Sequence, residues 1–533
     1  MKINLSDMPV YAPVNLNEPM EAIGHRIQEF SATRPDHPAL ITKQGTLSWR
    51  SLLSLTNQIA NRLRDAGLQP GDSVAALSEN SINYVALYLG VLTAGGCMVP
   101  LSGMASTEAL QLMLADSGAR FLFVSGQNQE HLHYIRSELT ELSSDRIIAL
   151  NGASEGIGQS LNEWLGTASE EARPADVSPD DAFSIIYSSG TTGTPKGILH
   201  DYRFRQRQMV RMSRFGLDGD AINLVSTPLY SNTTLISVLP TLFHGGTLVI
   251  MAKFDARQFL ELAEAHCVTH AMLVPVQYQR ILSDPEFDRF DLSNFKLKLC
   301  TSAPLRPDMI ADALTRWPGN IREMYGLTEG GISTSLDCAA YPDKWNSVGL
   351  PTEGGEVRVI DDDGHELPKG EMGELVGRAM SMMRGYVNQP DQTRDMLWRS
   401  PEGDVFYRSG DMGRIDEEGF IHILDRRKDM IISGGFNIYA VDLEKALLAH
   451  PAVDDAAVIG IPSEQWGETP LGLVVLKPNL RDSGLEILEW VNGQLGKGQR
   501  ISAIELRADL PRSTIGKVLK RELRQPYWQK PIR

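Results

Sequence analysis

Cysteine is nearly absent: the 533 residues hold four, Cys97, Cys267, Cys300 and Cys338, far apart in sequence. No C-x-x-C pair occurs, which excludes a zinc ribbon and a disulfide framework and suits a reducing, cytoplasmic setting. Positive charge is in deficit. Lys plus Arg number 51 against 67 Asp plus Glu, a formal net charge of −16. So acidic a chain repels a polyanion, which excludes nucleic acid as a main partner. Small anions stay open, because glycine loops with single lysines bind them whatever the net charge. No internal repeat or low-complexity tract is visible, and the segment from Met1 to Met8 lacks the pattern of a secretory signal. One run is free of Asp, Glu, Lys and Arg, between Asp220 and Lys253. Pro228, Pro240, Gly245-Gly246 and Ser231-Asn-Thr-Thr break it into pieces too short to span a bilayer. It reads as strand, loop, helix, turn and strand in a buried core, and the chain as soluble without a transmembrane segment.

What is present is ordinary globular usage, 42% apolar and 22% charged residues, and the length predicts two to four domains. Through the first four hundred residues, strand-like runs alternate with helical patterns. Ser73-Val-Ala-Ala-Leu, Arg120-Phe-Leu-Phe-Val and Thr247-Leu-Val-Ile-Met are such runs; Tyr84 to Leu92 and Ala256 to Ala265 have helical period. That alternation predicts α/β layers with largely parallel sheets. From Glu353 the texture changes to short alternating segments with Asp-Gly and Glu-Gly turns, a small antiparallel, β-barrel-like unit. A charged knot, Asp425-Arg-Arg-Lys-Asp429, follows. Beyond it the pattern reads strand, glycine turn, helix, strand, helix, the size of a small α+β domain. The expected organisation is a large domain over 1–425 and a mobile one over 426–533, with a hinge near 425–429.

The most informative segment is Phe183-Ser-Ile-Ile-Tyr-Ser188-Ser-Gly190-Thr-Thr-Gly193-Thr-Pro-Lys196-Gly-Ile-Leu-His200. Two β-type runs flank a loop of three glycines, five hydroxyl residues and one lysine. Glycines expose successive N–H groups, hydroxyls add donors and lysine adds charge, an inventory suited to a polyphosphate. It is not the common P-loop, whose Gly-Lys is followed by Ser or Thr opening a helix.

Tyr-Ser-Ser-Gly-Thr-Thr-Gly-Thr-Pro-Lys-Gly resembles the signature of the acyl-adenylate-forming superfamily, which includes acyl- and aryl-CoA synthetases, adenylation domains and firefly luciferase. Further motifs occur in order. Thr301-Ser302-Ala303-Pro304 looks like the adenine-pocket segment, with Ser302 where glycine is usual. Tyr325-Gly326-Leu-Thr328-Glu329, Tyr407-Arg-Ser-Gly-Asp411, Arg426 in its knot, Ile431 to Tyr439 and Leu510-Pro-Arg-Ser-Thr-Ile-Gly-Lys517 follow. With Leu47-Ser-Trp-Arg and Gly71-Asp, the resemblance covers nearly the whole chain.

The resemblance implies a ligase that joins a carboxylic acid to AMP from ATP and then to coenzyme A. The nucleotide contacts it implies are Ser188, Ser189, Gly190, Thr191, Thr192, Gly193, Lys196, Ser302, Ala303, Pro304, Tyr325 and Gly326. Asp411 and Arg426 would hold the ribose, Thr328 the α-phosphate, and Glu329 a Mg²⁺ ion, since hard oxygen ligands suit that metal. Lys517 would bridge the attacking carboxylate and the α-phosphate, where charge accumulates; Lys520 and Arg521 nearby compete for that register. Lys428 would be the hinge residue, and Gly434 and Gly435 would let the pantetheine arm pass. With no carrier domain before Arg533, a stand-alone enzyme loading a carrier protein is the nearest rival. A luciferase-type oxygenase is more remote.

Departures bear on the acid. Tyr230, Ser231, Val276, Tyr278 and Ile332 are the expected acyl pocket, mostly apolar, which favours an aryl or medium-to-long aliphatic acid over a dicarboxylate. Ser231 stands where the family often has histidine, so a wider entrance is expected. Arg203, Arg207, Arg211 and Arg214 recur at helical spacing, with Arg205 beside them. A solvated helix face is expected, with an anion site near the active site as the alternative.

Overall fold

The computed structural model describes residues 8–528 apart from 12–19, 133–134, 136–141, 152–155, 189–194, 427–428, 434–435, 464, 479, 496–499 and 514–515. At Arg426, Ile432, Phe436 and Asn437 it describes the backbone alone. The chain divides into two compact units. Unit one comprises Met1–Trp345, Thr352–Glu356 and Arg378–Tyr407; unit two comprises Asn346–Pro351, Val357–Gly377 and Arg408–Arg533.

Two sheets organise unit one. The first runs, in spatial order, through Gly385–Tyr386, Lys196–Asp201, Ala182–Ser188, Cys97–Leu101, Ser73–Leu77, Phe121–Ser125, Ile147–Asn151 and Gln159–Ser160. Its central strands Cys97–Leu101, Ser73–Leu77 and Phe121–Ser125 are parallel and buried at every residue. Continuous apolar runs of this kind form where helices cover both faces of a sheet. In the second sheet five parallel pairings link six strands in the order Asn320–Gly326, Leu297–Cys300, His270–Leu273, Ile222–Val225, Thr247–Ile250 and Pro38–Thr42. Ser333–Asp337 pairs antiparallel with the first of these. The run without charges folds as expected, with a buried helix over Asn232–Phe243 between the strands Ile222–Val225 and Thr247–Ile250. No helix among the described residues is long and apolar enough to cross a membrane.

Unit two holds the strands of the antiparallel texture, including Gly373–Arg378 and Ile421–Arg426, the latter pairing with the second half of Val405–Ile415. Its other sheet orders Phe436–Ile438, Ile431–Ser433, Gly467–Leu476 and Val453–Ser463, and Ala503–Leu506 joins Gly467–Leu476 in parallel. Helices Ala440–Leu448 and Gly484–Gln494 bury Leu443, Leu447, Ile487 and Val491 against it. In place of the single strand expected there, Val453–Ser463 and Gly467–Leu476 pair as two long antiparallel strands; Gly460, Pro462 and Pro470 interrupt the alternation that marks a strand in sequence. At the start of the charged knot Asp425 is buried, and its Oδ2 accepts from the Ala440 N–H, 2.7 Å away, at a helix N-terminus.

Candidate active site

In the second sheet of unit one, the predicted residues gather where parallel strands end. Tyr230 and Ser231 follow Ile222–Val225, Val276 follows His270–Leu273, Ser302 to Pro304 follow Leu297–Cys300, and Thr328 and Glu329 follow Asn320–Gly326. Loops at the carboxyl ends of neighbouring parallel strands are the usual ligand crevice of such sheets. Tyr325 and Gly326 are the last residues of their strand, paired with Thr334 and Ser333.

The phosphate-loop segment is a hairpin, with Ser188 opposite Lys196. Ser189, Gly190, Thr191, Thr192 and Gly193 lie outside the described residues. Lys196 Nζ lies 5.1 Å from the centroid of the Tyr386 ring, a cation–π distance. The Tyr386 hydroxyl donates to Glu329 Oε1 at 2.8 Å. The loop lysine and the expected metal carboxylate therefore meet at one tyrosine. Burial, reinforced by the Glu329 carboxylate, holds the Tyr386 hydroxyl well above the usual phenol range, so it stays a donor. Backbone bonds complete the frame: the Met383 N–H donates to the Glu329 carbonyl at 2.8 Å, and His200 Nε2 lies 2.7 Å from the Thr328 carbonyl. Gly330 has φ +75°, and a Cβ there would stand 2.2 Å from the Ser381 carbonyl, so only glycine lets this turn close.

Ser302 occupies the left-handed region with φ +79°, the conformation glycine would take without strain. Its Oγ is 2.9 Å from Thr233 Oγ1, which ties the adenine-pocket segment to the first turn of the helix Asn232–Phe243. Ser231 is the N-cap of that helix, its side chain accepting from the Thr233 N–H at 3.3 Å. The serine in place of histidine thus has a structural task as well as a small volume. Tyr278 is fully buried, its ring 5.9 Å from Trp317 among Phe259, Phe287 and Phe295. Ile332 is buried, and Val276 half-buried.

The arginine helix, Tyr202–Ser213, overturns the solvated-face expectation. Arg203, Arg205 and Arg207 are all buried. Arg203 pairs with Asp180 at 3.1 Å, Arg207 donates to the Met380 carbonyl at 2.7 Å, and Arg211 to Thr352 Oγ1 at 3.3 Å. Arg214 is exposed and pairs with Glu353. Spacing alone places side chains on a face; it does not show that the face is covered.

In unit two, Asp411 and Arg426 sit opposite each other across the antiparallel ladder, so two residues far apart in sequence share one position. Asp411 is buried, and its N–H donates to Ser409 Oγ at 2.9 Å; the Arg426 side chain lies outside the described residues. Lys517 is held by bonds to nearby residues. The Ser513 N–H donates to the Lys517 carbonyl at 2.8 Å, and Gly516 has φ +76°. Lys520 is committed elsewhere, 2.8 Å from Glu444 in a largely buried pair. Lys428, Gly434 and Gly435 lie outside the described residues.

A model of the AMP-binding enzyme family matches residues 27–387, and one of the AMP-binding enzyme C-terminal domain matches residues 442–517. The chain belongs to the AMP-binding enzyme family. A feruloyl-CoA synthase of an Amycolatopsis species is 33% identical over 495 residues, covering 92% of this chain and 96% of that protein. The fatty acid–acyl-carrier-protein ligase ScoC of Streptomyces coeruleorubidus is 30% identical, covering 93% and 94%. Among solved structures, ATP-bound MatB from Rhodopseudomonas palustris superposes with a TM-score of 0.86 at 29% identity, covering 96% of this chain and 99% of that one.

In this AMP-binding enzyme the expected site residues rest on supports that the sequence motifs do not include. Tyr386 and Thr233 carry no motif of their own. Tyr386 reaches the site through the two-residue strand Gly385–Tyr386, which pairs with Ile198 and Leu199 behind the phosphate loop.

Proposed function

We propose that the chain is an AMP-forming acid–CoA ligase that activates a carboxylic acid as its adenylate and then transfers the acyl group to coenzyme A. In the first step a carboxylate oxygen attacks the α-phosphorus of ATP and pyrophosphate leaves. In the second the CoA thiolate attacks the acyl carbon and AMP leaves. The observation that carries this reading is the junction of Lys196, Tyr386 and Glu329 beside Thr328, at strand ends of an AMP-binding enzyme.

Each residue has a task that its chemistry suits. The phosphate loop through Lys196 binds the β- and γ-phosphates, and Thr328 donates to the α-phosphate. Asp411 and Arg426 accept from and support the ribose, while Ser302 to Pro304 and Tyr325 enclose adenine. Glu329 offers a hard carboxylate oxygen, oriented by Tyr386, and would hold Mg²⁺, which when bound neutralises phosphate charge. Lys517 stabilises the charge that builds between carboxylate and α-phosphate. Lys428 serves as the hinge between a domain over 1–425 and one over 426–533, and Gly434-Gly435 admit the thiol arm.

The acyl pocket of Tyr230, Ser231, Val276, Tyr278 and Ile332 has no evident charged partner among the described residues, which supports an aryl or medium-to-long aliphatic acid. The buried free thiols Cys97, Cys300 and Cys338 fit a reducing cytoplasm. ATP–pyrophosphate exchange over a panel of aryl, aliphatic and dicarboxylic acids tests the assignment. Exchange with an aryl or long-chain acid is expected; exchange with none, or with dicarboxylates alone, overturns it.

A further inference from the structure

Among the buried polar groups near the strand ends, one chain of contacts has no task in the reaction as described. Arg205 is completely buried on the arginine helix. Its Nη1 donates to Gln208 Oε1 and to Asn232 Oδ1, each at 2.8 Å, and its Nη2 lies 2.9 Å from His200 Nδ1. His200, buried at the end of the phosphate-loop strand, stacks on Phe204 with ring centroids 4.0 Å apart. On its far side Nε2 lies 2.7 Å from the Thr328 carbonyl.

Donor and acceptor chemistry fixes the tautomer. A guanidinium has only donors, so His200 Nδ1 must be the acceptor. A carbonyl has only lone pairs, so Nε2 must carry the proton and donate. Burial, and next the Arg205 charge, hold His200 well below the usual histidine range, in agreement with a neutral ring. Arg205 and the Thr328 carbonyl select the same tautomer from the two sides of the ring, so loss of Arg205 removes half of that selection, and the opposite tautomer would set lone pairs facing each other at Thr328.

We infer that His200 and Arg205 are positioning residues for adenylation: Arg205 sets the His200 tautomer, and His200 Nε2–H holds the Thr328 carbonyl so that Thr328 and Glu329 keep their place beside the phosphate-loop strand. This rests on the adenylation reading above. It goes beyond it by giving a role in catalysis to two groups that touch no substrate.

Two substitutions separate the two ends of the imidazole. His200→Gln reaches the Nε2 position with an amide N–H and keeps a donor for Thr328. His200→Asn reaches only the Nδ1 position, towards Arg205, and leaves the Thr328 carbonyl without it. In pyrophosphate exchange, His200→Asn is expected to lose roughly ten- to a hundredfold in kcat, with a smaller change in KM for ATP, as misplaced catalytic groups do. His200→Gln is expected to stay within about fivefold of wild type. Arg205→Met is expected to resemble His200→Asn, and the double variant to be no worse than either, because both break one connection. Thiolation from supplied acyl-adenylate provides the reading that a purely structural role would also lower; it is expected to change less than about threefold. Equal losses in both half-reactions, additive losses in the double variant, or Gln as damaging as Asn would overturn the inference. Absence of pyrophosphate exchange in the unaltered enzyme would instead overturn the adenylation reading, and this inference with it.

Discussion

Glu329 and Lys517 carry opposite charges that the proposed reaction depends on, and they are held in opposite ways. Glu329 is fixed by a tyrosine 57 residues away, and the neighbouring Thr328 carbonyl by a histidine 128 residues away. Around Lys517 the bonds span four residues: its N–H donates to Ser513 Oγ at 3.2 Å, and Arg512 Nη1 donates to the Gly516 carbonyl at 2.6 Å. A distant tie of that segment is the ion pair of Arg512 with Asp455, also in unit two. Long-range support makes the unit-one site complete only when the whole unit is folded, and so preorganised before ligand arrives. Short-range bonds make the lysine segment a local cassette of unit two, anchored on either side by Leu510 and Val518, which pack with Ala457 and Ile459.

If the cassette serves adenylation alone, Lys517→Ala should lose roughly a hundredfold or more in pyrophosphate exchange, the scale of one lost transition-state contact. Thiolation from supplied acyl-adenylate should be largely intact. Equal loss in both half-reactions would mean that the cassette does not divide the reaction. Lys428→Pro sharpens the same division, since proline fixes φ and blocks a backbone rotation. Pyrophosphate exchange should survive while thioester formation fails, and retention of full turnover would move the hinge elsewhere.

On the preorganised side, Tyr386→Phe removes one hydrogen bond to Glu329 and leaves the ring beside Lys196. A bond to a charged group is worth about 1.5–3 kcal/mol, so about tenfold or more should be lost in exchange, with a raised Mg²⁺ requirement. An unchanged Mg²⁺ titration would separate Tyr386 from the metal carboxylate.

Ser302 tests how strain and bonding offset each other in the same unit. Ser302→Ala keeps the left-handed backbone strain and loses the bond to Thr233, and should cost about 1 kcal/mol in thermal or urea unfolding. Ser302→Gly loses the same bond but relieves the strain, and should stay closer to wild type. The reverse order of Tm values would show that the serine is unstrained.

A pH-dependent effect on stability concerns Glu323, whose Oε1 accepts from the Leu305 N–H at 3.0 Å beneath the adenine-pocket segment. Burial pushes its carboxyl up to about 8, against about 4.3 when unfolded. Between those values the unfolded chain has lost the proton that the folded chain keeps, so stability falls as pH rises through the window. Glu323→Gln should therefore gain on wild type from about pH 4.5 to 8 and level off above. A pH-independent difference would mean that the carboxyl is ionised in the fold.

Several of these residues were legible in sequence because the chemistry restricts residue type. A polyphosphate loop needs glycines with a lysine, and Thr328, Glu329 and Asp411 stand in short strings with few substitutes. The strands Thr247–Ile250 and Ser73–Leu77 were legible because fully apolar runs of that length have few other uses. The supports were not. Arg207 reaches a carbonyl 173 residues away, and nothing within its own helical period says that the face is covered. Tyr386 lies among ordinary residues and gains meaning only through its pairing with the phosphate-loop strand. Nor does the sequence around Tyr278 show that its ring packs against Trp317, on the helix Pro275–Leu282.

The most direct measurement follows acid, ATP and enzyme with and without coenzyme A, counting AMP, pyrophosphate and thioester. The account predicts AMP release that depends on coenzyme A, with one AMP and one pyrophosphate per thioester formed. Acyl-adenylate that accumulates and ignores coenzyme A, yet is discharged by an acyl-carrier protein, would contradict it.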